Sequence, residues 1–275
     1  MLTNAVNLSV AMIGRNESHC VARAVESVSR LADEIIFIDT GSLDDTREKV
    51  SALGGKVFSF TWCDDFSAAR NASIDNCTGQ WVLVLDCDEV VCPHVGRELI
   101  QLACSDEDEF AYKVRINSLM PDGRIESHFN IRLFRRAKEI RFSNPIHESV
   151  AEAIFEKNNQ KELKSAPLEI QHQGYRSAAL NKEKLIRNIN ILTNWVQRDK
   201  SSIYGWYKLG ISLMPVNSDR AAACLYRAFE LATENGNTKT LPFFDEMVGS
   251  LRVLLRETRQ EALLSKIDGL LARHA

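Results

Sequence analysis

Short apolar runs and segments of helical periodicity alternate through the first ninety residues. Leu8-Ser9-Val10-Ala11-Met12-Ile13 reads as a strand that stops at Gly14-Arg15-Asn16-Glu17. Val21, Ala24, Val25, Val28 and Leu31 then recur at three and four, the spacing of one helix face. Glu34 to Ile38 predicts a second strand, ended by Asp39-Thr40-Gly41-Ser42. Asp44 and Asp45 open a helix that carries Val50 and Leu53 and closes at Gly54-Gly55. Lys56 to Phe60 predicts a third strand, Ser67 to Cys77 a helix, and Trp81 to Leu85 a fourth strand. Apolar runs without alternation fit strands buried on both faces. Their alternation with helices predicts right-handed βαβ units and a mostly parallel α/β sheet.

The pattern then changes twice. Phe110 to Ile116 and Asn130 to Arg136 alternate apolar with charged residues, as half-exposed strands do, with a hairpin-type turn at Met120-Pro121-Asp122-Gly123. This predicts a partly antiparallel half of the sheet, with Arg132 and Arg135 on a solvated face in preference to a diphosphate or anionic acceptor site. From Asn181 the apolar positions recur only at helical spacing. Trp206-Tyr207-Lys208-Leu209-Gly210 has the W-x₂-L-G opening of a tetratricopeptide unit, and Ala221 to Leu231 fits its second helix, with Ser218 as N-cap. Further helices are expected over Leu241 to Arg256 and Glu257 to Arg273. The division expected is an α/β domain over 1–178 and a helical domain over 179–275. One good repeat is few for a free-standing solenoid, so the helices are expected to dock on the first domain. They would grip a protein or peptide, form a homodimer, or cover the sheet.

Composition narrows the class. The 275 residues are 45% apolar and 26% charged, as in an ordinary globular protein. A net charge of −3 gives no footprint for nucleic acid. No apolar run reaches the length of a membrane span, and residues 1–7 lack the pattern of a signal peptide. The seven cysteines have no paired C-x-x-C spacing and read as reduced and mostly buried. The expected location is cytoplasmic, with peripheral work at the inner membrane surface left open.

Candidate chemistry gathers at strand ends. Trp81 to Leu85 runs directly into Asp86-Cys87-Asp88-Glu89. Residues i and i+2 of an extended chain share a face, so Asp86 and Asp88 can meet one ligand while Cys87 faces away. Ligands of open α/β sheets bind beyond the carboxyl ends of the strands. Paired carboxylates there suit a hard divalent cation such as Mg²⁺; an acidic solvated turn is the other reading. Asn16 and Glu17 follow the first strand and Asp39 ends the second, so three strands deliver polar groups to one edge. A G-x-G-x-x-G fingerprint and a P-loop are both missing, which argues against dehydrogenases and P-loop NTPases.

Four stretches resemble the family 2 glycosyltransferases: Ala11 to Glu17, Ile38 to Thr46, Asp64 to Asn71 and Leu85 to Glu89. The likeness is to the branch with a tetratricopeptide-like helical tail, some members of which are peptide S-glycosyltransferases. It implies a GT-A (Rossmann-like) fold, a nucleotide-sugar donor and Mn²⁺ or Mg²⁺. By resemblance, Asp39 would hydrogen-bond the base, with Asn16 and Glu17 beside it. Arg70 would meet the nucleotide or its diphosphate, Asp86 the ribose or the metal, and Asp88 the metal. Gly14-Arg15 stands where relatives often have Val-Lys, and Leu43 where Thr is usual.

Two further stretches extend the resemblance. Ile146-His147-Glu148 falls where the family's acceptor-side acid is expected, so Glu148 is the candidate base of an inverting transfer and His147 the second choice. The plainer reading starts a helix at Glu148, since acids favour helix N-termini. Ile170 to Tyr175 resembles the family's His-X-Gly-Tyr, which would make His172 a metal or diphosphate ligand. The expected function is inverting, metal-dependent transfer from a UDP-linked hexose to a peptide, protein or cell-envelope glycan. The alternatives are a catalytically silent binding or scaffold module and a nucleotidyltransferase. The latter usually carries a Gly-rich basic loop, of which Gly14-Arg15-Asn16-Glu17 is a poor version.

Overall fold

In a computed structural model, residues 7–92, 96–106, 108–120, 122–172 and 178–274 are described, and the chain separates into two compact units, Met1–Arg176 and Ser177–Ala275. The first begins with β1 (Leu8–Gly14), α1 (Val21–Val28), β2 (Glu34–Asp39), α2 (Thr46–Ala52), β3 (Lys56–Ser59), α3 (Phe66–Asn76) and β4 (Trp81–Val84). It continues with β5 (Glu89–Val91), α4 (Arg97–Cys104), β6 (Ala111–Leu119), β7 (Ile125–Arg135), α5 (Ala151–Lys157) and β8 (Ser165–His172). One sheet has the order β3-β2-β1-β4-β7-β6-β8-β5. The β3-β2-β1-β4 half is parallel throughout, as the unbroken apolar runs require. β7 lies antiparallel between β4 and β6, and the parallel β6–β8 pair follows. This is the mixed, mostly parallel sheet of a GT-A fold.

Both faces of the sheet are covered. Val10, Met12, Phe37, Leu83 and Leu85 pack with Val21, Val25 and Val28 of α1 and Ile100 of α4. Ala11, Ile36, Val82, Val84 and Phe134 pack with Ile74 of α3 and Ile154 of α5. Successive residues of β1 and β4 thus alternate between two apolar layers, which explains the unbroken apolar runs Val10 to Ile13 and Trp81 to Leu85.

Away from the site, Glu34 fastens the opposite edge of the sheet. Its carboxylate accepts from Ser9 Oγ (2.6 Å), Lys56 Nζ (2.8 Å), and Thr78 N and Oγ1. These partners join β1, β2, β3 and the turn before β4, and they hold Glu34 at a pKa of about 2 against the opposing effect of burial.

The second unit holds α6 (Ala178–Arg198), α7 (Ile203–Leu213), α8 (Ser218–Glu234), α9 (Phe244–Glu257) and α10 (Glu261–His274), each packed on the next. Tyr207 is buried and stacks on Phe243 at 4.7 Å. A Cβ on Gly210 would meet Leu225 at 2.6 Å, so the W-x₂-L-G glycine leaves room for the Leu225 side chain of α8 against α7. The N-cap of α8 is Asn217, which accepts from Arg220 N, and not the expected Ser218. Asn217 has the extended backbone a cap needs, while Ser218 is already helical. Among the described residues no helix is long and apolar enough to cross a membrane.

Candidate active site

The parallel strands bring their ends to one edge in register. Gly14 pairs with Asp39 and Asp39 with Ser59, while Ala11 pairs with Val84, two residues before Asp86. Gly14 is explained locally, since a Cβ there would meet Cys87 Sγ at 2.7 Å and Phe37 Cζ at 2.8 Å. Cys87 faces away from the site as expected; it is buried in the α1 layer and its thiol donates to Ile13 O.

Asp39 is buried at the end of β2 and accepts from the amides of Gly41 and Ser42, with Arg47 Nη1 at 3.9 Å. Asn16, exposed and with a φ of 57°, accepts from Leu43 N through Oδ1. The Glu17 amide donates to Thr46 Oγ1. These bonds tie the β1–α1 loop to the β2–α2 loop, and they place Asn16 and Glu17 beside Asp39 on the same strand edge.

Arg70 is the centre of a second group. It leaves α3 at only 6% exposure. Its Nη2 donates to Asp86 Oδ1, and its Nε to Glu148 Oε1 at 3.1 Å. Arg132 adds its Nη2 to Asp86 Oδ2 at 3.0 Å and to Glu89 Oε1 at 2.9 Å. The solvated-face expectation for Arg132 therefore fails. Its side chain is 12% exposed, because β7 lies inside the sheet and Arg132 shares a face with the buried Phe134. Arg135 is likewise engaged, donating to Glu109 O and Asp106 O with its guanidinium over Trp81 at 4.9 Å.

These charges shape one another. Burial would raise the Asp86 pKa, but Arg70 and Arg132 outweigh it and hold the carboxyl well below the usual carboxylate range. Burial pushes Glu89 up to about 7, against the pull of Arg132. Glu89 also caps the turn by accepting from Asp86 N at 2.9 Å. A cleft of about 100 Å³ opens beside the group, lined by Arg70, Asp86, Asn130, Arg132, Phe142 and Glu148 among others. Arg70 Nη1 and Arg132 Nε are buried without a hydrogen-bond partner. Such orphaned donors are uncommon in folded proteins and suit a site that a polar ligand completes.

Glu148 lies in a loop and does not begin a helix; α5 starts at Ala151. The loop is closed by the Ser143–Ser149 bridge and carries positive φ at Asn144 (70°) and His147 (54°). Asn71, next to Arg70, clamps it by accepting from Phe142 N and donating to Phe142 O, and Pro145 O accepts from Phe66 N. Non-glycine residues in the left-handed region persist where surrounding structure over-determines them. His147 is exposed, while Glu148 turns in to Arg70.

Asp88 and His172 form a third group. His172 is the last residue of β8, in register with Glu89 of β5. Its Nε2 lies 3.4 Å from Asp88 Oδ2, and its Nδ1 lies 3.3 Å from Ser118 Oγ. The bond to Asp88 raises the His172 pKa. Gln173 to Tyr175, the rest of the expected His-X-Gly-Tyr, lie outside the described residues. The structure thus joins Arg70, Asp86 and Glu148 directly and pairs Asp88 with His172. Glu89 and Asn71 join the site without an assigned role in the sequence, and Arg132 joins it against the favoured solvated-face reading. For Arg132 the available signal was its i−2 relation to Phe134.

The described geometry agrees with sequence comparison. Residues 9–186 match the model of a family described as glycosyl transferase family 2. A TPR repeat-containing protein of Synechococcus elongatus is 32% identical over 220 residues, covering 78% of this chain and 54% of that protein. The chain thus spans about half the length of that relative. An uncharacterized glycosyltransferase of Rickettsia conorii is 26% identical over 201 residues, 70% of each chain. The crystal structure of mannosyl-3-phosphoglycerate synthase from Rubrobacter xylanophilus is similar in fold. It has a TM-score of 0.50 at 13% identity, covering 71% of this chain and 75% of that one.

Proposed function

Because the chain belongs to glycosyl transferase family 2, we propose that it moves a hexose from a UDP-linked donor to a peptide, protein or cell-envelope glycan, with inversion at the anomeric carbon. The observation that carries this reading is the meeting of Arg70, Asp86 and Glu148 beside a polar cleft at the strand edge that also bears Asp39. Asp39 receives the base of the nucleotide with Asn16 and Glu17 beside it. Arg70 faces the diphosphate, and Asp86 the ribose. Glu148, held in place by Arg70 Nε, takes the proton from the acceptor as the acceptor atom bonds to the anomeric carbon. The bond from that carbon to the diphosphate oxygen breaks, and its electron pair leaves with the nucleoside diphosphate. Arg132 and Glu89 position Asp86 through their bonds to its carboxylate and its amide.

Asp88 and His172 fit a divalent ion. A carboxylate oxygen and an imidazole nitrogen 3.4 Å apart are close to the roughly 3 Å between adjacent ligands of an octahedral site with bonds of about 2.1 Å. Bound there, Mn²⁺ or Mg²⁺ would offset the charge that develops on the leaving diphosphate.

A thermal-shift panel of nucleoside diphosphates and nucleotide sugars, each with Mn²⁺ and with chelator, tests the reading. Binding to the folded state raises apparent stability by mass action. The expected result is a metal-dependent rise with one UDP-sugar, lost in Asp88→Ala. Glu148→Gln keeps the rise and loses about two to four decades of transfer rate. No rise with any nucleotide would replace the transferase by a silent, partner-binding protein, and equal losses of binding in both variants would sink the division of roles.

A further inference from the structure

Glu17, His19 and Cys20 place a carboxylate oxygen, an imidazole nitrogen and a sulfur within 4.8 Å of one another. Glu17 Oε2 is 3.9 Å from His19 Nε2 and 3.3 Å from Cys20 Sγ. A tetrahedral Zn²⁺ with bonds of about 2.0 to 2.3 Å separates its ligand atoms by roughly 3.3 to 3.6 Å. Glu17 and Cys20 already have that spacing, and His19 Nε2 has to swing closer to Glu17 to share it. Their chemistry also differs from that of Asp88 and His172. A thiolate beside an imidazole selects a borderline-soft ion such as Zn²⁺ or Co²⁺ over Mg²⁺.

The backbone that carries these donors is fixed. The amides of Cys20 and Val21 both donate to Glu17 O, forming a turn that brings residues 17 and 20 to one side. The loop is then held from outside. Asn16 N donates to Ser42 Oγ, Glu17 N to Thr46 Oγ1, Ser18 N to Asp44 Oδ2, and Lys49 Nζ to Ser18 O. None of these four bonds uses a side-chain ligand atom of the cluster. Cys20 is 3% exposed, whereas the His19 and Glu17 side chains are 48% and 33% exposed, which leaves an approach from solvent.

We propose that Glu17, His19 and Cys20 form a second metal site, specific for Zn²⁺ and similar borderline ions. Three protein ligands leave the fourth position to water or another ligand. Binding releases the thiol proton of Cys20 to solvent and takes His19 in its neutral form, so affinity rises with pH. The proposal rests on this geometry alone and does not depend on the transferase reading.

Co²⁺ titration of the full chain, followed by absorbance, reads the site directly. One equivalent should produce the near-ultraviolet charge-transfer band of a cobalt thiolate, and Zn²⁺ should erase it. Cys20→Ser should abolish the band. Cys63→Ser, which removes the exposed cysteine, and Asp88→Asn should leave it unchanged. If buried Cys20→Ser fails to fold, His19→Ala at an exposed position decides instead, with Zn²⁺ affinity falling on the order of tenfold or more. Absence of the band, its loss in Cys63→Ser, or unchanged Zn²⁺ affinity in His19→Ala overturns the site.

Discussion

Removing the Arg132 guanidinium would leave Glu89 buried against Asp86 with its cationic partner gone. Breaking a buried ion pair from one side costs about 3 to 5 kcal/mol, well above what an exposed pair contributes. Arg132→Met should therefore lose stability of that order in urea unfolding, and Glu89→Gln in the same background should restore part of it. A loss below about 1 kcal/mol would mean that solvent screens the pair. The carboxylates at the strand ends were legible in the sequence because strands buried on both faces shed their polar residues at one edge. Arg132 was not, because period-two alternation gives two faces without saying which of them is dry. That depended on β7 inserting between β4 and β6, a pairing set by residues far apart in the chain.

Among the elements, β1, β2, β3 and the turn before β4 depend on one carboxylate at the edge opposite the site. The folded pKa of Glu34 is depressed from 4.5 to about 2. Its contribution is then fully present above pH 4.5 and is lost as the pH falls toward 2. Glu34→Gln should cost on the order of 1 to 3 kcal/mol at neutral pH and flatten the acid limb of the stability curve over that window. An unchanged acid limb would place the responsible group elsewhere. The parallel half of the sheet could be read from its apolar runs alone. β5 could not, since Glu89-Val90-Val91 is too short to show a period and forms only by pairing with β8. The loop that seats Glu148 also admits a helix start in the sequence, for a related reason. Its shape comes from Asn71 and the Ser143–Ser149 bridge, contacts that local periodicity does not encode.

For the whole molecule, the residues assigned to donor and metal all belong to the first unit. Gly210→Val would drive a side chain into Leu225 and force α7 from α8. The expected outcome is a lower melting temperature, since overpacking costs about 1 to 3 kcal/mol. The affinity for UDP measured by calorimetry should remain that of the parent chain. A parallel loss of nucleotide affinity would show that the helical unit helps to build the donor site.

The Arg70 bridge constrains how this chain can change over generations. One guanidinium neutralises carboxylates drawn from the end of β4 and from the 143–149 loop, 16 and 78 positions away. A lineage that exchanged Arg70 would leave Asp86 and Glu148 without the cation they share. Arg70, Asp86 and Glu148 should accordingly be inherited or abandoned as a set, and an aligned family should display them as a covarying trio.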